Sequence, residues 1–320
     1  MVYREGKLGE NKKVIGRFAP SPTGSLHVGN LRTALIAWLC AHQQDGELLL
    51  RIEDLDRFNS KPEHEARQVS ALASLGIIFG SNFIRQSERF DHYRAIVDTL
   101  RDQDLVYPCY CTRREILEAT QAPHGPTIEG AYVGTCRELS ARDRAEREQS
   151  GRRPAWRLRT NNETYIVDDL VAGPTTTVID DMVLLRNDGV PAYNLAVVVD
   201  DAEQGVTQVV RGDDLLVGTG RHIHLQQLLG YPTPQYVHAP LVVGRDGERL
   251  AKRHGAVTLD DLEQRGFGVS EVLSELARSI GSRVEHPLSV DDLLKDFNLE
   301  QLPRSPWTIP VDWQTVDHDN

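Results

Sequence analysis

Residues 12–21, KKVIGRFAPS, form a short apolar run that passes into a proline-stiffened stretch, which predicts a strand entering a loop. Downstream, Val28, Leu31, Leu35, Trp38 and Leu39 recur at helical spacing and predict an amphipathic helix that stops near Asp45. ELLLRIEDLD then reads as a strand buried on both faces and ending in carboxylates. Strand, helix and strand together predict a βαβ unit. Its ligand should lie beyond the carboxyl ends of the strands, where residues 18–27 and Glu53 fall.

From residue 63 to 105 the pattern is helical twice, with a break at LGIIFGSN. After Tyr107 the periodicity weakens and Cys, Pro, Gly and Arg become common, which predicts an insertion ending near Val190. AYNLAVVVDDA, TQVVRGDDLL, TGRHIHLQQLLGY and YVHAPLVVG resume an alternation of helix and strand, a second half for the same sheet. Beyond RDGERLAKRHG the chain turns helical and acidic, then thins into a tail with proline and tryptophan. The expected divisions are therefore 1–106, 107–190, 191–255 and 256–320.

Composition narrows the function. With 320 residues and 40% hydrophobic content the chain can bury a full core. A net charge of -11 argues against a protein that coats nucleic acid non-specifically. One window differs, since residues 107–160 hold ten arginines against seven acidic residues, a basic face or a solvated helix of paired charges. No apolar run is long enough to span a membrane and the start MVYREGKLGENKK is too charged for a secretory signal, so a cytoplasmic location is expected.

FAPSPTGSLHVGN stiffens the backbone with prolines and frees it with glycines, and the helix beginning near His27 turns its unpaired N–H groups toward the same place. Phosphate is the natural ligand, with His27 donating to it and Gly29 leaving room for a base; the plainer alternative is that His27 only caps a turn. RDGERLAKRHG, carrying Arg249, Lys252, Arg253 and His254, would supply a second phosphate-binding element on the other half of the sheet. Two such elements fit a triphosphate. Cys109, Cys111 and Cys136 give three of the four soft ligands that a tetrahedral zinc prefers. His124 is the first candidate for the fourth ligand by spacing, Tyr132 is another, and three reduced thiols without metal remain an alternative.

FAPSPTGSLHVGN resembles the HIGH signature of class I aminoacyl-tRNA synthetases in their glutamyl form, and RLAKRHG resembles the KMSKS loop. RIEDLDR, AYNLAVVVDD and RGDDL match that branch in order, so the resemblance covers roughly residues 16–255. It implies a Rossmann-like α/β catalytic domain with a zinc-containing insertion and a small helical C-terminal region. By similarity Arg17, Ala19 and Ser21 line a glutamate pocket, Glu53 receives the ammonium group, and Tyr193 and Arg211 close over the side chain. His27, Asn30 and Lys252 would be the catalytic residues, His27, Gly29 and Lys252 would bind ATP, which arrives with Mg²⁺, and Cys109, Cys111, Tyr132 and Cys136 would hold one structural zinc. Asn30 stands where the signature has histidine, and Ala251 where the loop has serine. Only 65 residues follow Gly255, too few for the anticodon-binding region of the full-length enzymes. The resemblance is thus to truncated members of the branch, which attach glutamate to the queuosine base in the anticodon of tRNA(Asp) and are expected as monomers. A small nucleotidyltransferase, or a zinc-stabilised RNA-binding paralogue with decayed catalysis, is the competing expectation. For Arg211 the competing expectation is an ion pair with Asp213 or Asp214.

Overall fold

Apolar runs of four to six residues, too short for helices, become the central strands. In the computed structural model, which describes residues 13–80, 83–120, 132–250 and 257–313, β1 (Ile15–Phe18) pairs in parallel with β2 (Glu47–Ile52), Ile15 opposite Glu47 and Phe18 opposite Leu50. Between them runs α1 (Val28–His42), whose predicted stripe is buried. The rest of the helix from Ala34 to Ala41 is buried as well, so it is a central element and not a surface one. It ends through Asp45, which takes a left-handed φ of 52°, and Gly46, where a Cβ would sit 2.1 Å from the Val14 carbonyl oxygen.

α2 (Pro62–Ser74) then leads to the short β3 (Ile84–Arg85), which pairs in parallel with the far edge of β2, and α3 (Phe90–Asp102) follows. β4 (Val106–Cys109) opens the insertion, continued by α4 (Arg113–Thr120), α5 (Ala141–Gln149) and β5 (Ala155–Leu158). The next hairpin, β6 (Thr164–Asp169) with β7 (Gly173–Val178), belongs to another sheet. β8 (Val183–Leu185) returns to pair antiparallel with β5, which itself pairs antiparallel with β4. Composition assigned 107–190 to one insertion, whereas this hairpin reaches back to the second half of the main fold.

That half contains α6 (Tyr193–Glu203), β9 (Gln208–Gly212), α7 (Thr219–Leu229) and β10 (Gln235–Ala239), with the strands ordered β7-β6-β10-β9. β9 lies beside β1. The Thr207 N–H donates to the Ile15 carbonyl at 2.9 Å, the Ile15 N–H donates to the Thr207 hydroxyl at 2.9 Å, and Arg17 Nη1 donates to the Val210 carbonyl at 3.1 Å. Two βαβ halves meet along this seam, and a ligand crevice in such folds opens where the strand order reverses.

The chain continues through β11 (Val242–Val243), α8 (Leu259–Gln264) and α9 (Val269–Ser279) to β12 (Trp307–Thr308), which pairs in parallel with β11. The sequence suggested a thinning tail, yet Phe297, Leu302, Ile309 and Trp313 are buried in the same core as α1. Arg32 of α1, also buried, donates to the Pro240 carbonyl at 2.7 Å and to the Ser279 hydroxyl at 3.0 Å, tying α9 to the strand ends. Among the described residues no helix is long and apolar enough to cross a membrane.

Candidate active site

Phe18 and Gly212, the last residues of β1 and β9, both line a cavity of about 650 Å³ at the seam. Ten candidate site residues from the sequence line it with them: Arg17, Ala19, Ser21, His27, Gly29, Asn30, Glu53, Tyr193, Arg211 and Arg249. Lys252, Arg253 and His254 lie outside the described residues, as do Ala251 and His124.

The loop from β1 to α1 is held from both sides. Gln68, buried on α2, donates to the Ser21 carbonyl at 3.0 Å and the Gly24 carbonyl at 2.7 Å. The Glu53 N–H donates to the Pro20 carbonyl at 3.0 Å and the Val28 N–H to the Val257 carbonyl at 2.9 Å. Gln68 carried no signal in the sequence, because a polar residue in an exposed-looking helix gives no hint of a buried partner.

His27 is the N-cap of α1. Its Nδ1 accepts from the Gly29 N–H at 3.1 Å and the Asn30 N–H at 3.3 Å, while Asn30 Oδ1 accepts from the His27 N–H at 3.2 Å. An accepting Nδ1 places the ring proton on Nε2, where it can be donated to a ligand. Burial, and then the charge of Arg249, push the His27 pKa down to about 4, so the ring is neutral near pH 7. Capping and ligand binding are therefore compatible roles. Gly29 has a reason beyond loop freedom, since a Cβ there would come within 2.9 Å of the His27 ring. Asn30 completes a reciprocal cap, a use for asparagine at this place that the motif did not predict.

At the other end of the cavity a charge network sits below the surface. Arg51 is fully buried and donates to Asp201 at 2.7 Å, to Gln204 at 2.9 Å and to Glu53 at 3.2 Å. Arg17 Nε donates to the same Asp201 oxygen at 3.3 Å. Asp200, also buried, accepts from Gln86 at 2.8 Å, Tyr93 at 2.8 Å and Arg89 at 2.9 Å. Burial raises the Glu53 carboxyl above its ordinary range, against the pull of Arg51 and then Arg17. Sequence reasoning passed over Arg51 and Asp201. Both occur inside quoted motifs, RIEDLDR and VVVDDA, and a charged residue within a run otherwise buried was the available signal.

Arg211 is treated differently. Its Nε donates to His238 Nε2 at 3.1 Å, Nη1 to His222 Nδ1 at 3.1 Å and to the Tyr193 hydroxyl at 3.3 Å, and Nη2 to the Thr219 hydroxyl at 2.8 Å and the Leu215 carbonyl at 3.5 Å. Every one of these acceptors is formally uncharged, and among the described residues no carboxylate pairs with Arg211. Asp214 bonds Arg249 instead, and neither it nor Asp213 is among the partners of Arg211, so the ion-pair alternative does not hold. A cation only 5% exposed, facing a cavity without a counter-ion, is a place prepared for an anion. The Tyr193 oxygen accepts from Arg211, so its own proton is free for a ligand; burial holds the phenol above its ordinary pKa.

The cysteine cluster lies apart, at the base of the insertion. The thiols of Cys109, Cys111 and Cys136 all lie within 4.8 Å of one another, and the Tyr132 hydroxyl is 3.3 Å from Cys109 Sγ and 3.6 Å from Cys111 Sγ. A tetrahedral zinc with Zn–S bonds of about 2.3 Å sets its ligand atoms somewhat under about 4 Å apart; Cys111 and Cys136 stand 3.4 Å apart, and the three thiols are grouped closely enough that they could hold such an ion. Arg157, its guanidinium 3.7 Å from the centre of the Tyr132 ring, supplies a cation beside a donor set that would carry excess negative charge.

Residues 13–309 match the family model described as tRNA synthetases class I (E and Q), catalytic domain. A protein named glutamyl-Q tRNA(Asp) synthetase from Nocardia farcinica is 51% identical over 294 residues, with 92% of each chain covered. A second of that name, from Symbiobacterium thermophilum, is 44% identical over 310 residues, covering 93% of this chain and 96% of its own. The crystal structure of a glutamate tRNA ligase from Elizabethkingia meningosepticum in complex with its amino acid superposes with a TM-score of 0.77 at 25% identity, over 94% of this chain and 68% of the ligase. The two halves joined at a seam, the cavity between them and these matches make the chain a member of the class I tRNA synthetase family of the E and Q type.

Proposed function

We propose that this protein activates L-glutamate with ATP, without needing tRNA for that step, and transfers the glutamyl group to the queuosine base of tRNA(Asp). The observation that carries the reading is Arg211, a buried guanidinium with no carboxylate of its own, set in the same cavity as Glu53 and the N-terminus of α1. A carboxylate side chain bonds a guanidinium through two parallel N–H groups, and an amide cannot use both. Glutamine in the same place would leave the charge unpaired, which corresponds to roughly a hundredfold in selectivity.

In this reading Arg211 and Tyr193 hold the side-chain carboxylate, and Glu53, kept in place by Arg51, receives the ammonium group. Arg17, Ala19 and Ser21 shape the wall between them. The α-carboxylate attacks the α-phosphorus of ATP and pyrophosphate leaves, so the nucleophile belongs to the substrate and the protein needs no general base. Its work is orientation and charge stabilisation. The N–H groups opening α1, and Nε2–H of a neutral His27, face the phosphates, with Lys252 of the KMSKS-like loop as the expected cation. Mg²⁺ arriving with ATP neutralises phosphate charge. Zinc bound by Cys109, Cys111, Cys136 and Tyr132 would brace the insertion and take no part in the chemistry.

The acceptor is supported by relatives of that name matching nearly their whole length, whereas the glutamate ligase structure is covered only to 68%. Glutamate-dependent exchange of labelled pyrophosphate into ATP, without tRNA, tests activation. Charging of tRNA(Asp) with and without queuosine tests the acceptor, and equal charging of both, or of tRNA(Glu), refutes it. Absence of exchange in metal-replete protein refutes activation.

A further inference from the structure

Two buried histidines grip the guanidinium of Arg211, and the atoms around them leave each only one protonation pattern. A guanidinium has donors and no acceptor, so whatever faces it must offer a lone pair. His222 turns Nδ1 to Arg211 at 3.1 Å and Nε2 to the Asn194 side-chain oxygen at 3.0 Å. His238 is turned the opposite way, with Nε2 to Arg211 at 3.1 Å and Nδ1 to Asp169 at 2.6 Å. Asp169 is fixed in turn by the N–H groups of Val171, Ala172 and His238. Thus His222 is the Nε2–H tautomer and His238 the Nδ1–H tautomer. Burial lowers the pKa of both rings, the charge of Arg211 lowers them further, and Asp169 opposes the shift at His238.

We propose that His222 and His238 are positioning residues that determine the preference for a carboxylate over an amide side chain. They fix the plane of the Arg211 guanidinium through neutral lone pairs, so its orientation is set while its charge is left for the ligand. A carboxylate in either place would fix the plane equally well and neutralise the charge, and selectivity between glutamate and glutamine would fall. The longest contacts, Nη1 to Tyr193 at 3.3 Å and Nη2 to the Leu215 carbonyl at 3.5 Å, are the ones an incoming anion displaces. The proposal rests on the reading that Arg211 meets the glutamate side chain.

Pyrophosphate exchange with varied glutamate, glutamine and ATP tests it. His222→Leu and His238→Leu are expected to raise KM for glutamate about tenfold or more and to narrow the glutamate-to-glutamine ratio by a similar factor, with KM for ATP within about twofold. His222→Asn, whose side-chain oxygen takes the place of Nδ1, and His238→Gln, whose oxygen takes that of Nε2, should recover most of the loss. In wild-type protein, nitrogen-15 spectra of the imidazoles at neutral pH should display the two opposite neutral tautomers, a measurement that holds even where a leucine variant does not fold. An imidazolium at either ring, the reversed tautomer, or folded leucine variants with wild-type KM and selectivity overturns the proposal. Arg211→Ala separates the two levels. If it retains glutamate activation, the underlying reading fails; if it abolishes activation while the leucine variants behave as wild type, only the role of the histidines fails.

Discussion

Replacing Arg51 by leucine removes one cation from under three carboxylates. In the native protein its guanidinium bonds Asp201 at 2.7 Å and Glu53 at 3.2 Å, and lies 3.8 Å from Asp200. The losses are unequal. Asp201 keeps Arg17, and Asp200 keeps Arg89, Tyr93 and Gln86, but Glu53 loses the one cation bonded to it among the described residues. Stranding a buried charge in this way costs about 3–5 kcal/mol, which for a protein of this size lowers Tm by about 4–7 °C. The pH dependence carries the sharper test. Burial already raises the Glu53 pKa, and a carboxyl with a raised folded pKa contributes stability at low pH that is lost as pH rises through that pKa. Without Arg51 the shift is larger, so the deficit of Arg51→Leu should be greatest near pH 8 and should shrink toward pH 5, roughly the ordinary carboxylate range. Urea unfolding of both proteins across that range measures it. A deficit below about 1 kcal/mol, or one that does not change with pH, refutes the account of the network.

Gly29→Ala should leave Tm within a few degrees, because the atom it meets at 2.9 Å belongs to a side chain that can swing, but the displaced His27 ring should lower the exchange rate about tenfold; wild-type kinetics would count against a role for that ring. With its pKa pushed down to about 4, His27 should add no inflection to the exchange rate between about pH 5.5 and 8, and its resistance to protonation should cost stability as pH falls from about 6.5 toward 4. An acid limb near pH 6.5 that vanishes in His27→Asn, which keeps an oxygen for the cap, would contradict this. Cys136→Ser should lose bound zinc, measured by atomic emission, and several degrees of Tm while the folded fraction still activates glutamate; unchanged metal content and stability would remove the zinc assignment.

Much of the framework was legible in the sequence because it depends on local periodicity. The strand at Ile15–Phe18, the buried helix after it and the carboxylate ending ELLLRIE follow from apolar spacing and from where Pro and Gly interrupt it. The motif residues could be named in advance because close backbone approach and helix-end chemistry require particular residue types at short spacing. What carries the selectivity was not readable in that way. Asp169 lies on a hairpin, Thr219 and His222 on the first turn of α7, and His238 on β10, three elements separated in sequence, and nothing in their local pattern separates a histidine that orients Arg211 from one that only fills space. The same holds for Arg51 beneath Glu53 and for Gln68 beneath the first loop. Sequence fixes which donors and acceptors exist, since that is covalent chemistry. Only the tertiary structure decides which lone pair faces which proton, because in a dry interior that pairing is set by burial and by partners brought together from distant segments.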